Sequence, residues 1–481
     1  MSAPADLRSA VNRAAVPLGV ALLLILAIVV GWTGFIASDD ALYFVGAEHW
    51  LVAPPFAGDT HWATRFPLIW SFDAMLLLLG RNFAAFAATA LLWYALLVLI
   101  VAALVRRLEG MRAAYVAALL VGTMPVVIAN ATTVSVDLLE AFMLVAGAWL
   151  IADAGAGRNG YPRAVLAGIC FGTAVLCRET SLLSLSIFAP LFLIGRPVRR
   201  DTLVAAGIGI ALVLGSEALF QYAMTGQPLH RYDLAFHHDS HIDRAANMEG
   251  NFLLHPAIDP LLVLLINDDF GLLFWVAGAV IALALRTGAW RAQPRPLQVM
   301  GLMAAANFLL VAVLVHKLVL NPRYFMLPAL WAAVVVAIGM ARASVRWRWG
   351  VVAGLVAINL AFLSVGNRHP RWEMEAMLDA ARRHPGEIVY GDAAMARRAR
   401  LPMRFEGLSN VQQGPAPAGS LEIVPADQAP DAPVLTDYRS PPTLAGAVLQ
   451  HLGLASLVPG ALRPRLFEPS PRYRLVRTPA S

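Results

Sequence analysis

Lysine is nearly missing from this chain. Lys317 is the single one among 37 basic residues, and the others are arginine. Most arginines in the first 366 residues lie in short loops between apolar blocks, where arginine sets topology beside anionic lipid. The formal charge of +6 is therefore no nucleic-acid signal, and no nucleic-acid partner is expected. Cysteine is equally sparse. Cys170 and Cys177 stand seven apart on one apolar helix, on a shared face but too far apart to bridge, so no disulfide or metal clip is implied. Charged residues make up only 14%, against about a quarter in soluble globular proteins. That scarcity excludes an ordinary soluble domain.

What replaces charge is apolar length. Hydrophobic residues reach 59% and the mean hydropathy is +0.64. The excess falls in blocks of about 17–25 residues, the length that crosses about 30 Å of hydrocarbon. They lie near 16–36, 66–80, 83–105, 113–129, 137–152, 164–177, 180–195, 203–222, 270–286, 298–316, 324–341 and 349–366. The first has no small-residue cleavage site behind it and reads as an uncleaved span. Block 66–80 is short, contains Asp73, and is separated from the next block only by Arg81 and Asn82. It reads as an interfacial or re-entrant helix.

Arginine placement supports that reading. With 66–80 not crossing, eleven spans remain, the N-terminus is cytoplasmic, and sixteen arginines fall in inner loops against seven basic residues outside. Letting 66–80 cross would put most of the sixteen on the wrong side. In the eleven-span arrangement the carboxylates collect outside, among them Asp39, Asp40, Asp137, Glu140 and Glu179. Acids at the bilayer boundary are costly and usually functional. The chemistry is expected on the outer face.

After Gly366 the composition changes. Pro-rich stretches, an amphipathic segment from Arg371 to Arg383, and short strand-like runs at Glu387–Gly391, Ser420–Val424, Pro433–Asp437 and Tyr473–Arg477 predict a small α/β domain. The chain is thus divided at 1–366, a polytopic α-helical membrane domain with a first outer loop at 37–82, and 367–481, an extracytoplasmic soluble domain. The arginine- and alanine-rich composition fits a GC-rich bacterial gene, which places the protein in the plasma (inner) membrane as a multi-pass protein.

The first outer loop is the most informative segment: SDDALYFVGAEHWL, then HWATRFPLIW. Two adjacent acids follow the first span and lead into helices that can lie on the membrane surface. Transfer of a sugar needs a carboxylate to take the proton of an acceptor hydroxyl while a lipid phosphate departs. The pattern Asp39-Asp40-Ala41-Leu42-Tyr43, then Arg65-Phe66-Pro67, resembles the GT-C superfamily of polyprenyl-phosphate-sugar-dependent glycosyltransferases. The likeness is to the branch with protein O-mannosyltransferases, aminoarabinose transferases and galacturonic-acid-transferase-like proteins. Further likenesses are Val136-Asp137-Leu138, Cys177-Arg178-Glu179-Thr180, Thr225-Gly226-Gln227-Pro228-Leu229 and Asn321-Pro322-Arg323-Tyr324. The resemblance covers roughly residues 16–366.

It implies a GT-C-like fold with about eleven transmembrane helices and an inverting transfer from a polyprenyl-phosphate-linked donor to a lipid, polysaccharide or protein acceptor. Asp39 is then the base. Asp40 beside it is a second catalytic candidate, although family members often carry Glu at that place and Asp40 departs from the pattern. Arg178, Glu179, Lys317, Arg323 and Tyr324 become donor- or phosphate-binding candidates, and Tyr43, His61, Arg65, Asp137 and Glu140 candidates that line the site. Blander readings stand beside these. Arg178 and Glu179 fit a structural ion pair, Lys317 and Arg323 interfacial snorkelling, and Asp137 and Glu140 helix–helix bonds. The histidine cluster around His237 and His238, with Asp40 nearby in the outer layer, leaves a divalent metal as a candidate cofactor, although the spacing matches no tight ligand pattern. The alternative function is a transporter or flippase of a lipid-linked or anionic substrate; no inverted repeat or broken helix near the midplane is apparent in its favour.

Overall fold

The structure is a computed structural model that describes residues 5–154, 160–237, 254–255, 257–289, 293–314, 320–366, 372–428 and 433–479. Its first part is helical throughout: α1 Ala5–Val30, α2 Asp39–Val52, α3 Phe66–Leu79, α4 Phe83–Glu109, α5 Met111–Gly122, α6 Pro125–Ala131, α7 Asp137–Asp153, α8 Tyr161–Cys177, α9 Ser181–Leu185, α10 Phe188–Ile194 and α11 Arg200–Thr225. There follow α12 His230–His237, α13 Asp259–Ile266, α14 Leu273–Arg286, α15 Arg295–Val313, a 3₁₀ turn at Pro322–Phe325, α16 Met326–Arg342 and α17 Val345–Gly366. The protein is a multi-pass membrane protein. Five helices are long and apolar enough to cross a membrane by length and composition, or six if the bent pair α5–α6 is one span. The other blocks expected to cross form shorter apolar helices.

Helix α4 orients the molecule. Its 27 residues extend about 40 Å at 1.5 Å per residue. Asn82 starts it by accepting from the Ala84 and Ala85 amides at 2.9 and 3.2 Å. Its N-terminal turn packs Phe83 and Phe86 against Phe35. Its C-terminal turn carries Arg107 to Asp153 at 2.9 Å and Glu109 to Arg342. Two polar layers are thus held apart by a bilayer's thickness, one with the acidic loop and one with the arginine-rich loops. Helix α3, at 14 residues, covers only about 21 Å. It presents Trp70, Leu77 and Leu78 outward, as an interfacial helix would.

Close packing is built from small residues. A Cβ on Gly168 would meet the Ala206 carbonyl oxygen at 1.9 Å, and one on Gly209 would meet that of Val165 at 2.1 Å, so α8 and α11 touch backbone to backbone. One helix pair is bent: α5 and α6 meet at 68°. Pro125 has no N–H to continue the ladder and holds Met124 extended, at φ −62° and ψ 126°. The freed Val126 amide donates instead to the Asp269 carbonyl at 3.2 Å.

The C-terminal part comprises α18 Trp372–Arg383, β1 Val389–Gly391, α19 Ala393–Glu406, β2 Val411–Gln413, β3 Leu421–Pro425, β4 Val434–Tyr438, α20 Leu444–His451, α21 Arg463–Phe467 and β5 Tyr473–Arg477. The sheet order is β2-β1-β3-β5-β4, parallel on the β2 side and antiparallel on the β4 side. The four strands expected from sequence are present within a residue or two; β2 is additional. This part shares a core with the acidic loop: Phe405 sits among Phe44, Phe83 and Phe86, with ring centroids 5.4, 5.1 and 6.4 Å away.

Candidate active site

The two adjacent acids have different environments. Asp40 is buried, and its carboxylate accepts from the Ile36, Ser38 and Ala41 amides at 2.7, 2.8 and 2.9 Å, and from the Thr133 hydroxyl at 3.4 Å. These bonds close the turn around Ala37, whose φ of 55° is unusual for a residue with a Cβ. Burial pushes the Asp40 carboxyl up, and the three amides pull it back only in part. Asp40 therefore shapes the loop. Asp39, one residue earlier, is about a third exposed, and its carboxylate stands 3.9 Å from Arg323 Nη1.

Arg323 leads to the rest of the cluster. Asn321 fixes its backbone by accepting from the Arg323 amide at 3.1 Å. Its guanidinium carbon lies 5.9 Å from the Tyr324 ring centroid, and that of Arg178 lies 5.0 Å from the same centroid. Arg178, at the end of α8, is buried and donates to Asp137 Oδ1, with Glu140 Oε2 at 3.9 Å. Ser181 donates to the other Glu140 oxygen at 2.5 Å. Asp137 and Glu140 come one turn apart on α7, which is why both reach one guanidinium. Asp137, Glu140, Arg178, Arg323 and Tyr324 line one cleft. The Arg323 Nε is buried there with no hydrogen-bond partner among the described residues, which leaves donor capacity on this guanidinium.

The acidic loop stands beside this cleft, joined to it where Asp39 meets Arg323. Arg65 donates to the Tyr43 hydroxyl, and its Nη2 lies 2.5 Å from His61 Nε2. Burial pushes the Tyr43 phenol up to about 12, so it meets Arg65 as a neutral acceptor. Arg323 lines the cleft and Asp39 lies on the loop, so their 3.9 Å approach brings the loop and the cleft together as one site.

Glu179 belongs to a different pair. It does not face Arg178; its Oε1 accepts from Arg231 Nη2 at 2.7 Å and Nε at 3.1 Å. Arg231 is fully buried and donates also to the Thr64 and Val175 carbonyls at 2.8 and 3.2 Å. It staples the acidic loop to the end of α8. Sequence reasoning counted Arg231 only as an outer charge. The pairing of Glu179 with its chain neighbour Arg178, expected from sequence, is thus replaced by a pairing with Arg231.

Lys317 and His238 lie outside the described residues, as do His241, Asp239 and Asp243. His237 is on the exposed side of α12, 3.2 Å from Asp233. Among the described residues no three His, Cys, Asp or Glu side chains converge as a metal site.

Residues 66–219 match the dolichyl-phosphate-mannose-protein mannosyltransferase family, about a third of the chain. No curated protein matches it in sequence. The fold is similar to that of ArnT from Cupriavidus metallidurans in the apo state, with a TM-score of 0.59 at 14% identity over 88% of this chain and 96% of that one. It is similar also to the same enzyme bound to undecaprenyl phosphate, at 0.59 and 12% over 95% and 97%. The archaeal oligosaccharyltransferase AglB from Archaeoglobus fulgidus, in complex with an inhibitory peptide and a dolichol-phosphate, gives 0.50 and 12% over 81% and 64%. The fold is that of the GT-C superfamily, and the resemblance read from the sequence is borne out.

Proposed function

We propose that this protein is an inverting glycosyltransferase that moves a sugar from a polyprenyl-phosphate carrier to an acceptor hydroxyl at the outer face of the plasma membrane. The observation that carries the reading is the pairing of a partly exposed carboxylate, Asp39, with a cation, Arg323, whose Nε has no partner among the described residues. The family match and the ArnT-like fold support it.

In this reading the acceptor oxygen attacks the anomeric carbon as the bond to the lipid phosphate breaks. Asp39 takes the hydroxyl proton. The departing phosphate gains charge, which Arg323 meets from one side of Tyr324, with the buried Arg178 behind it supplying positive potential. Asp137 and Glu140 hold Arg178 in place. Tyr43, His61 and Arg65 shape the loop that carries Asp39, and Glu179 anchors it through Arg231. A lipid, polysaccharide or protein could supply the hydroxyl. Residues 1–366 form the catalytic membrane domain, with the N-terminus cytoplasmic, and residues 367–481 the domain outside.

The test is transfer of labelled sugar from a polyprenyl phosphate by the purified protein. A chain inactive across a broad panel of donors and acceptors, yet able to move substrate across liposomes, would make it a transporter.

A further inference from the structure

Helix α19 lies between two different surfaces. Pro402 and Glu406 line a cavity with Asp40, whereas Arg397, Arg400 and Arg404 line a groove with Met403, Leu408 and Val411. The three arginines fall at i, i+3 and i+7, so they form one stripe along the helix. Arg404 is engaged with Glu48 of α2, at 2.5 and 2.7 Å. The neighbouring Arg398, on a different side, pairs with Glu373. Arg397 and Arg400 are exposed and have no acidic partner among the described residues. The groove's other wall begins at β2, the edge strand of the sheet. It encloses about 580 Å³, with an apolar floor and two unneutralised guanidinium groups.

We propose that this groove holds the phosphate head groups of anionic lipids in the leaflet on which α2 lies. Its position and its charge both favour that occupant. Arg404 joins the groove directly to α2, which exposes Val45 and Val52, while α3 beside it exposes Trp70, Leu77 and Leu78. A groove that starts at such a surface opens at head-group depth. Guanidinium forks match phosphate oxygens two at a time, and Met403, Leu408 and Val411 suit the glycerol and first methylenes. The α/β domain would thereby be seated on the membrane independently of sugar transfer. The inference rests on the membrane-surface placement of α2 but requires no activity from the site.

The experiment uses the full-length protein in a neutral detergent, with bound lipid counted by native mass spectrometry during titration with phosphatidylglycerol or phosphatidylcholine. The wild type should retain phosphatidylglycerol in preference. The Arg397→Gln/Arg400→Gln variant should lose affinity by about fivefold for each arginine removed, and Arg397→Lys/Arg400→Lys should keep most of it. Equal retention of the two lipids by the wild type, or undiminished phosphatidylglycerol binding by the double glutamine variant, would overturn the proposal. Displacement of phosphatidylglycerol by poly-glutamate through the same arginines would overturn it in favour of a soluble acidic partner. Transfer assayed on the same preparations separates the two readings, because lipid retention can fail while transfer persists.

Discussion

Asp39 and Arg323 face each other at 3.9 Å, each about a third exposed. So loose a pair contributes little to folding, on the order of 0–1 kcal/mol, and leaves both groups free to engage a substrate. Asp39→Asn keeps the shape and removes the charge. The expected outcome is normal membrane insertion and a loss of transfer of about 10²–10⁴-fold. Asp40→Asn should act differently. Its amide would set an N–H₂ group against one of three backbone donors, so loop order and thermal stability should fall along with activity. Labelled-sugar transfer and thermal unfolding of both variants distinguish the two roles; full activity in Asp39→Asn removes it from catalysis.

Arg323 and Arg178 should also separate. Arg323→Ala removes a cation whose Nε has no partner among the described residues, and loss of a charge-assisted bond to phosphate costs about 1.5–3 kcal/mol in use of the donor. Arg178→Ala leaves Asp137 buried without its cation, a structural cost of about 3–5 kcal/mol. Donor kinetics and melting temperature, measured on both, should show one functional and one structural defect. The same defect in both would put the two arginines in one role.

The contrast between these arginines explains what the sequence could reveal. Hydropathy located the apolar blocks, and arginine placement singled out 66–80, a short block with Asp73 inside it whose crossing would reverse every later loop. The kink at Met124-Pro125 stayed hidden, since apolar residues on both sides of the proline look continuous to a hydropathy count. Strand β2 is three residues long and two of the three are polar, too short for period-two alternation to register. At the site, the acids and arginines were legible as residue types. Their pairing was not: Arg178 finds Asp137 and Glu179 finds Arg231 across separations of 41 and 52 residues.

The Glu179–Arg231 staple makes an acid-sensitive contact outside the spans. Burial pushes the Glu179 carboxyl up, but Arg231 and then Arg65 pull it further down, to below its ordinary 4.5. A carboxyl depressed on folding stabilises the native state fully above its unfolded value and loses that contribution as pH falls through the folded one. Wild type should therefore melt above Glu179→Gln at neutral pH, and the gap should close on acidification below the ordinary glutamate range. A gap independent of pH would mean that packing, rather than charge, accounts for the effect.

Topology follows from the arginine distribution and is open to direct measurement. Reporter fusions at Arg382 and Arg196 should report opposite compartments. The same compartment for both would remove the eleven-span arrangement.

The α/β domain meets the acidic loop through an ion pair and an aromatic group. Arg404 reaches Glu48, but that ion pair is solvent-facing and worth little. Phe405, the next residue, enters the aromatic group of Phe44, Phe83 and Phe86, edge-on to Phe44 at 5.4 Å. Aromatic burial of this kind outweighs an exposed ion pair, and truncating a packed phenylalanine costs about 3–5 kcal/mol, the lower end being apt for one only partly buried. Phe405→Ala should therefore loosen the domain while Arg404→Ala leaves it seated. Limited proteolysis of the two variants gives the measurement, with faster cleavage within 367–481 expected for Phe405→Ala alone. Because Phe44 follows Tyr43 on α2, a loosened domain should also disturb the loop that carries Asp39. Transfer by Phe405→Ala should fall even though the side chain touches no reacting atom, and unchanged transfer alongside faster cleavage would show that the domain is not needed to order the site.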